Sequence, residues 1–292
     1  IRLRPIIYAL LTVYTVSFIG KVSGVGCQEL TEDRAQKTDV RRQGADYFLS
    51  SDLCSLLSDT WNHFYEFDSK LTNESLKKFC SRLKLVNSVS NLLADEDDIS
   101  NITNQNQSKE KSPNVEYIPY TNKQLNWHTD GYYYPLDSAI KSFLLHCEHP
   151  AQRGGENIIL DHEIIYIYLR DHNPEFINIL MQNDIMEIPG NKNIVGSHSV
   201  KGPVFYIDER NFLNMRFTSR QQNIIWKKND TIKKIKDFIF SFIAEDNHYT
   251  FNLLLKENQG YLANNVLHKR EEYVDGNNKR LLKRLRFSKR VE

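Results

Sequence analysis

Trp127-His128-Thr129-Asp130 sets an imidazole and a carboxylate two positions apart, and in an extended strand residues i and i+2 project from one face. Two ligands for a cation then converge without a turn. His268, at the end of the apolar run GYLANNVLH, is the candidate for a third. Two histidines and one carboxylate form a facial triad that suits Fe(II): mixed nitrogen and oxygen ligation, with three octahedral positions left open for a bidentate 2-oxo acid and dioxygen. On its own, His-x-Asp says little in a chain with nine histidines.

The segment C-terminal to His268 adds weight. An acidic, glycine- and asparagine-containing turn, EEYVDGNN, leads into Arg280-Leu-Leu-Lys-Arg-Leu-Arg-Phe287. As a strand, this stretch puts Arg280, Leu282, Arg284 and Arg286 on one face. An arginine fork can hold a carboxylate through two parallel charge-assisted hydrogen bonds, a geometry lysine cannot reproduce. The competing reading of Arg280 is a solvated cationic edge strand that blocks aggregation. Trp127, Tyr132, Tyr133 and Tyr134 flank the ligand pair and read either as pocket lining or as core aromatics. His146 and His149 have no third ligand near them in sequence, so core or surface roles suit them better. An arginine in the Met215–Arg220 stretch could meet an anionic substrate or make a surface ion pair.

The elements that must position these residues divide into two parts. Ser51 to about Phe67 reads as a helix with Leu53, Leu56, Leu57, Trp61 and Phe64 on one face, and Asn73 can cap a second helix over Leu76–Leu85. Residues 97–115 read as an exposed loop, placed to act as a lid. From Glu116 onward short strands dominate: Ser142–Cys147, Val204–Asp208, Phe212–Phe217, Thr250–Leu255, Tyr261–His268 and Arg280–Phe287. Helices are expected from an Asp161 cap to about Arg170, from Asn173-Pro174 to Met181, and over Thr231–Ala244. Many short strands at close spacing indicate a sandwich or barrel. The expected organisation is an N-terminal segment of uncertain role over 1–27, a helical layer over 28–95 and a β-rich core with helical insertions over 96–292.

Composition sets no special class. In 292 residues, 40% are hydrophobic and 26% charged, enough for a sizeable core. Thirty-eight basic against thirty-seven acidic side chains give no whole-molecule field for nucleic acid. Four well-separated cysteines, Cys27, Cys54, Cys80 and Cys147, fit neither a zinc knuckle nor a disulfide framework, which favours a cytoplasmic setting. Residues 1–19 are arginine-led and mostly apolar, leaving an organellar or secretory signal open, but short and diluted for a membrane span of roughly 20 apolar residues. The sequence admits a homo-oligomer. No phosphate-binding glycine loop or G-x-S-x-G elbow is present.

Taken in order, the motifs YIPYTNKQLNWHTDGYY, LLHCEHPAQRGGENIILDHE, MRFTSR, GYLANNVLHKREEYVD and RLLKRLRF resemble the taurine dioxygenase-like (TauD/TfdA) branch of the Fe(II)/2-oxoglutarate oxygenases, over roughly Asn87–Phe287. The resemblance implies a mainly β fold with flanking helices (α+β): a double-stranded β-helix, or jelly roll, of the clavaminate synthase-like kind. It implies Fe(II) on His128, Asp130 and His268, with Arg280 on the distal carboxylate of 2-oxoglutarate. Family members often carry Thr after the Gly-Gly-acidic turn; here Asn157 stands at that position, and its amide is the corresponding donor. Arg284 matches a second family arginine that faces substrate or co-substrate, or is structural. The implied reaction is hydroxylation of a small organic substrate, with dioxygen consumed and succinate and CO2 released, and the arginine-rich last strand favours an anionic one. A catalytically silent jelly-roll module and a zinc hydrolase are the rival readings; Arg280 and the lack of an obvious general base weigh against them.

Overall fold

The computed structural model describes residues 4–5, 64–85, 98–105, 118–190, 198–244 and 249–291. Among these the strands begin with β1 Arg4–Pro5, β2 Phe64–Asp68, β3 Ser100–Ile102, β4 Leu125–His128, β5 Ser142–His149, β6 Arg153–Gly154, β7 Asn157–Leu160, β8 Met186–Ile188 and β9 Val200–Gly202. They continue as β10 Phe205–Ile207, β11 Leu213–Met215, β12 Ile225–Trp226, β13 Thr250–Leu253, β14 Gln259–Ala263, β15 Leu267–Arg270, β16 Tyr273–Val274 and β17 Leu281–Phe287. Four α-helices accompany them: α1 Asn73–Arg82, α2 His162–His172, α3 Pro174–Leu180 and α4 Asp230–Ala244. None of the described helices is long and apolar enough to cross a membrane.

Two antiparallel sheets build the jelly roll. One has the order β1-β2-β14-β5-β17-β3 and the other β13-β7-β15-β4. Strand alternation decides what each face carries. In β5, Phe143, Leu145 and Cys147 turn inward with Tyr261, Ala263 and Leu282, meeting Ile159, Leu253 and Val266 from the four-stranded side. Leu144, Leu262, Leu285 and Phe287 turn outward and are covered by Leu76, Phe79 and Cys80 of α1. On the opposite flank, Trp127, Leu160 and Leu267 leave the four-stranded sheet to pack under α2, α3 and α4 through residues such as Ile165, Leu169, Ile235 and Ile239. Four layers result, and the inner faces of both sheets enclose the barrel interior.

The helices start where their caps dictate. Asp161 accepts from Glu163 N–H and Asn173 from Glu175 N–H, with Pro174 at the first helical position. For α1 the cap is Thr72, which accepts from Ser75 N–H, so the helix begins at Asn73 rather than being capped by it.

Three expectations need correction. Phe64–Asp68, expected as the end of a helix from Ser51, is a strand paired with β14; the remainder of that helix lies outside the described residues. Within the expected 97–115 loop, Ser100–Ile102 is an edge strand on β17, while 106–115 lie outside the described residues. Tyr261–His268 is not one strand but two: β14 belongs to the six-stranded sheet and β15 to the four-stranded sheet. Short strands declare themselves through their partners rather than through periodicity, which is why sequence patterns missed them.

Candidate metal centre

His128 and His268 are directly opposed in the register of β4 and β15, both on the inward face, so their rings approach to 4.3 Å between centroids. Each ring is held by its own strand. His128 Nδ1 lies 2.8 Å from Asn126 O and His268 Nδ1 2.9 Å from Val266 O. A carbonyl can only accept, so Nδ1 carries the proton in both rings and Nε2 presents its lone pair to the interior. Burial, and for His128 the proximity of His268, keeps both rings neutral: His128 falls to about 3 and His268 falls in the same direction.

Asp130 is not on the strand. β4 ends at His128, and Asp130 opens a turn through Gly131 (φ 69°), closed by Tyr134 N–H donating to Gly131 O at 2.8 Å. Two devices aim it inward. Thr129 N–H donates to Phe217 O at 3.0 Å while Phe217 N–H donates to Thr129 Oγ1 at 3.1 Å. Asn265 Oδ1 accepts from Asp130 N–H at 2.7 Å, and Asn265 Nδ2 donates to Asp130 O at 3.0 Å and Ile140 O at 2.7 Å. The result is one buried group of three in which a ligand atom from each of His128, Asp130 and His268 lies within 4.8 Å of the others. It is the metal-capable cluster among the described residues.

This donor set fits a divalent cation. Asp130 Oδ2 is shut off from solvent without a hydrogen-bond partner, a costly state unless a ligand meets it. Burial pushes the Asp130 carboxyl up, but Arg284, Arg286 and the two histidines outweigh it and hold the group down to about 2. The site is therefore two neutral imidazoles and an ionised carboxylate, the protonation state that coordination needs.

The arginine face is inward too. Arg284 Nη1 stands 3.3 Å from Asp130 Oδ1. Arg280, 3% exposed, lies over the Tyr273 ring with Cζ 4.9 Å from the centroid, has Nη1 unpartnered and no carboxylate within ion-pair distance among the described residues. The cationic-edge-strand reading fails for Arg280: the guanidinium is buried. Asn157, on the inner face of β7, leaves Nδ2 buried and unpartnered. Gly155 (φ 83°) passes so close that a Cβ there would meet Arg280 Nε at 3.2 Å. Arg270 also lies over the Tyr273 ring, Cζ 5.1 Å from the centroid, and donates to the carbonyls of Pro119, Thr121 and Lys123, fixing the chain that leads into β4.

Sequence reasoning missed Asn265, Tyr273 and Arg270. The Asn264-Asn265 pair inside an otherwise apolar run was the available signal, two amides where a continuous strand would bury none. Other residues settle into structural roles. Trp127 faces the helices and donates to Ile243 O at 2.9 Å, Arg216 donates to Met186 O and Val200 O, and His146 stacks on Phe67 with Nε2 3.0 Å from Ser69 O.

The model of the family described as taurine catabolism dioxygenase TauD, TfdA family, matches residues 64–286. The chain belongs to the TauD/TfdA family. Among curated relatives, a uridine-5'-phosphate dioxygenase of Streptomyces sp is 36% identical over 90 residues, which is 30% of this chain and 31% of that enzyme. The match thus spans about a third of that relative's length. A taurine dioxygenase from Burkholderia xenovorans shares the TauD/TfdA architecture at TM-score 0.53, with 12% identity over 82% of this chain and 82% of the other. An asparagine oxygenase, solved with Fe(II), 3-hydroxyasparagine and succinate, superimposes at TM-score 0.54 with 12% identity, over 81% of this chain and 78% of its own. At such identities the two structures establish the jelly-roll fold.

Proposed function

We propose that the protein is an Fe(II)- and 2-oxoglutarate-dependent dioxygenase that hydroxylates a small anionic substrate. The observation that carries this is a coincidence within one interior: a buried two-histidine, one-carboxylate cluster and, just before the strand that carries Arg284, a buried Arg280 whose guanidinium has an unpartnered nitrogen and no carboxylate within ion-pair distance among the described residues. A hydrolytic metal site has no use for that second group. A guanidinium kept from water is costly unless acceptors meet its N–H groups; Arg270 and Arg216 have carbonyls for this, whereas Arg280 Nη1 has no partner, which suits a bound carboxylate.

Fe(II) with bound 2-oxoglutarate supplies the oxidising power, as the co-substrate becomes succinate and CO2 and the two atoms of dioxygen enter succinate and the hydroxylated substrate. The protein's own side chains do the rest. His128 and His268 present Nε2 and Asp130 its carboxylate oxygens, pre-aimed by the Nδ1 bonds and by Asn265. Arg280 grips the distal carboxylate of 2-oxoglutarate, with Asn157 Nδ2 as a further donor. Phe143, 4.7 Å from the His268 ring, and Tyr261 form an apolar wall that excludes water from the reacting centre. Arg284, beside Asp130, gives the substrate side of the centre a positive charge, which supports an anionic substrate. The name of the Streptomyces relative points the same way, since uridine-5'-phosphate is an anion.

The test is succinate formation from 2-oxoglutarate with Fe(II), ascorbate and oxygen, across a panel of small acids, against His128→Ala and Arg280→Ala. Iron-dependent succinate that disappears in the first variant and needs far more 2-oxoglutarate in the second is the expected outcome. No turnover with any acid, together with no 2-oxoglutarate binding to the anaerobic Fe(II) protein, sinks the reading.

A further inference from the structure

Arg220, beside the proposed centre, is a cation without a counter-ion among the described residues. It ends the FTSR segment, which runs alongside the His128 strand: Thr218 bridges His128 in antiparallel register and Ser219 N–H donates to Trp127 O at 2.8 Å. Residues directly opposed across such a ladder share a face, so Thr218 lies on the inward side with His128. The Arg220 guanidinium lies over the ring of Tyr132, Cζ 5.3 Å from its centroid. Tyr132 in turn meets the His128 ring edge-on at 6.4 Å. One aromatic ring therefore separates Arg220 from a triad histidine.

The guanidinium is pre-oriented as well as close. Its Nη2 donates to Asn223 O at 2.8 Å and its backbone N–H faces Thr218 Oγ1 at 3.4 Å. Its Nε is closed off from solvent and has no hydrogen-bond partner, and no carboxylate lies within ion-pair distance among the described residues. An ordinary surface arginine pairs with an acid or leaves its nitrogens to water. A partly buried one, stacked, tethered and unneutralised, is arranged to receive an oxyanion.

We propose that Arg220, stacked on Tyr132, binds an oxyanion of the substrate, a carboxylate, sulfonate or phosphate, carried at a distance from the carbon that is hydroxylated. The inference rests on the oxygenase reading and sharpens it. Arg284 touches Asp130 and serves the near end of the pocket, whereas Arg220 reaches the site across the breadth of Tyr132. A substrate held by Arg220 must span that ring, which favours an extended or ring-bearing acid over a two-carbon one.

The experiment is calorimetric titration of the anaerobic Fe(II) protein with phenyl phosphate, benzenesulfonate and benzoate, alongside a separate titration with 2-oxoglutarate. Wild type, Arg220→Gln and Arg220→Lys are compared, with thermal melts to verify folding. At least one probe binds wild type and loses about tenfold or more in affinity in Arg220→Gln, as expected for a charge-assisted bond. Arg220→Lys retains part of the affinity, and 2-oxoglutarate affinity is unchanged in both variants. The probe that loses affinity names the oxyanion. Failure of all three probes to bind wild type, or equal binding by folded Arg220→Gln, overturns the proposal even if 2-oxoglutarate binds normally. Arg220-dependent probe binding without any 2-oxoglutarate binding instead sinks the oxygenase reading and leaves an anion site at Arg220 standing.

Discussion

Asn265 grips the Asp130 peptide at both ends, accepting from its N–H at 2.7 Å and donating to its carbonyl at 3.0 Å. The same amide reaches Ile140 O, and Asn265 itself takes the left-handed backbone (φ 51°) that asparagine tolerates better than most residues. Truncation to alanine strands three buried backbone groups, and stability should fall by about 2–4 kcal/mol. Fe(II) affinity should drop about tenfold or more, because the carboxylate loses its aim. Equilibrium denaturation and a metal titration of Asn265→Ala check both; wild-type iron affinity in the folded variant would show that Asp130 needs no such support.

Arg280 and Tyr273 make a second pairing with a kinetic consequence. Arg280→Lys keeps the charge but loses the fork, and the KM for 2-oxoglutarate should rise about tenfold or more. Tyr273→Leu removes the ring that both Arg270 and Arg280 lie over. A desolvated cation–π contact is worth up to about 2 kcal/mol, so the expected rise in KM is about three- to thirtyfold with kcat close to wild type. A fall in kcat at saturating 2-oxoglutarate would place Tyr273 nearer the chemistry than its position beneath Arg280 suggests.

Gly154 pairs with Tyr273 across the short β6–β16 ladder with φ at 75°. A Cβ there would sit 2.3 Å from the carbonyl oxygen of Glu272, backbone that cannot rotate away. Gly154→Ala should cost about 2–4 kcal/mol through left-handed strain and forced displacement of Glu272 and the β16 strand that follows it. The midpoint of chemical denaturation measures this, and an unchanged midpoint contradicts it.

Acid should weaken the metal-free protein. The unfolded chain protonates His128 near the ordinary histidine value of 6.5, while the folded chain resists until about 3. Between those limits the unfolded state binds more protons, so stability is full above pH 6.5 and declines as pH falls, by up to about 1.4 kcal/mol per pH unit from this residue. His268 shifts in the same direction and adds to the slope. Unfolding curves from pH 7 to pH 4 should show the decline, and His128→Asn should flatten it.

Some of this architecture is legible in the sequence alone. The capped helices at Asp161 and Asn173 stand within a residue or two of expectation because side-chain caps are local chemistry. The inward alignment of Arg284 and Arg286 with Leu282 follows from strand alternation alone. What escaped was non-local. The FYEFD strand is made by its partner β14, and its own pattern, coming after a helical-looking stretch, carried no boundary. Asp130 was expected on an extended strand, yet its direction is set by Asn265, 135 residues away. Asn264 and Asn265, inside the expected Tyr261–His268 strand, lie instead in the passage after β14, with Asn264 closing a similar pair of bonds on Val291.

The chain crosses from one sheet to the other between Ala263 and Leu267, and three residues make the passage. Strand side chains alternate with a period of two, so lengthening or shortening that passage by one residue would swing the His268 imidazole toward the helices and bring Leu267 into the interior. Both sheets could still form, with the centre dismantled. The spacing from Asn265 to His268 is thus closed to insertion and deletion even where single replacements are tolerated, and descendants of this protein can change their chemistry here only by exchanging side chains.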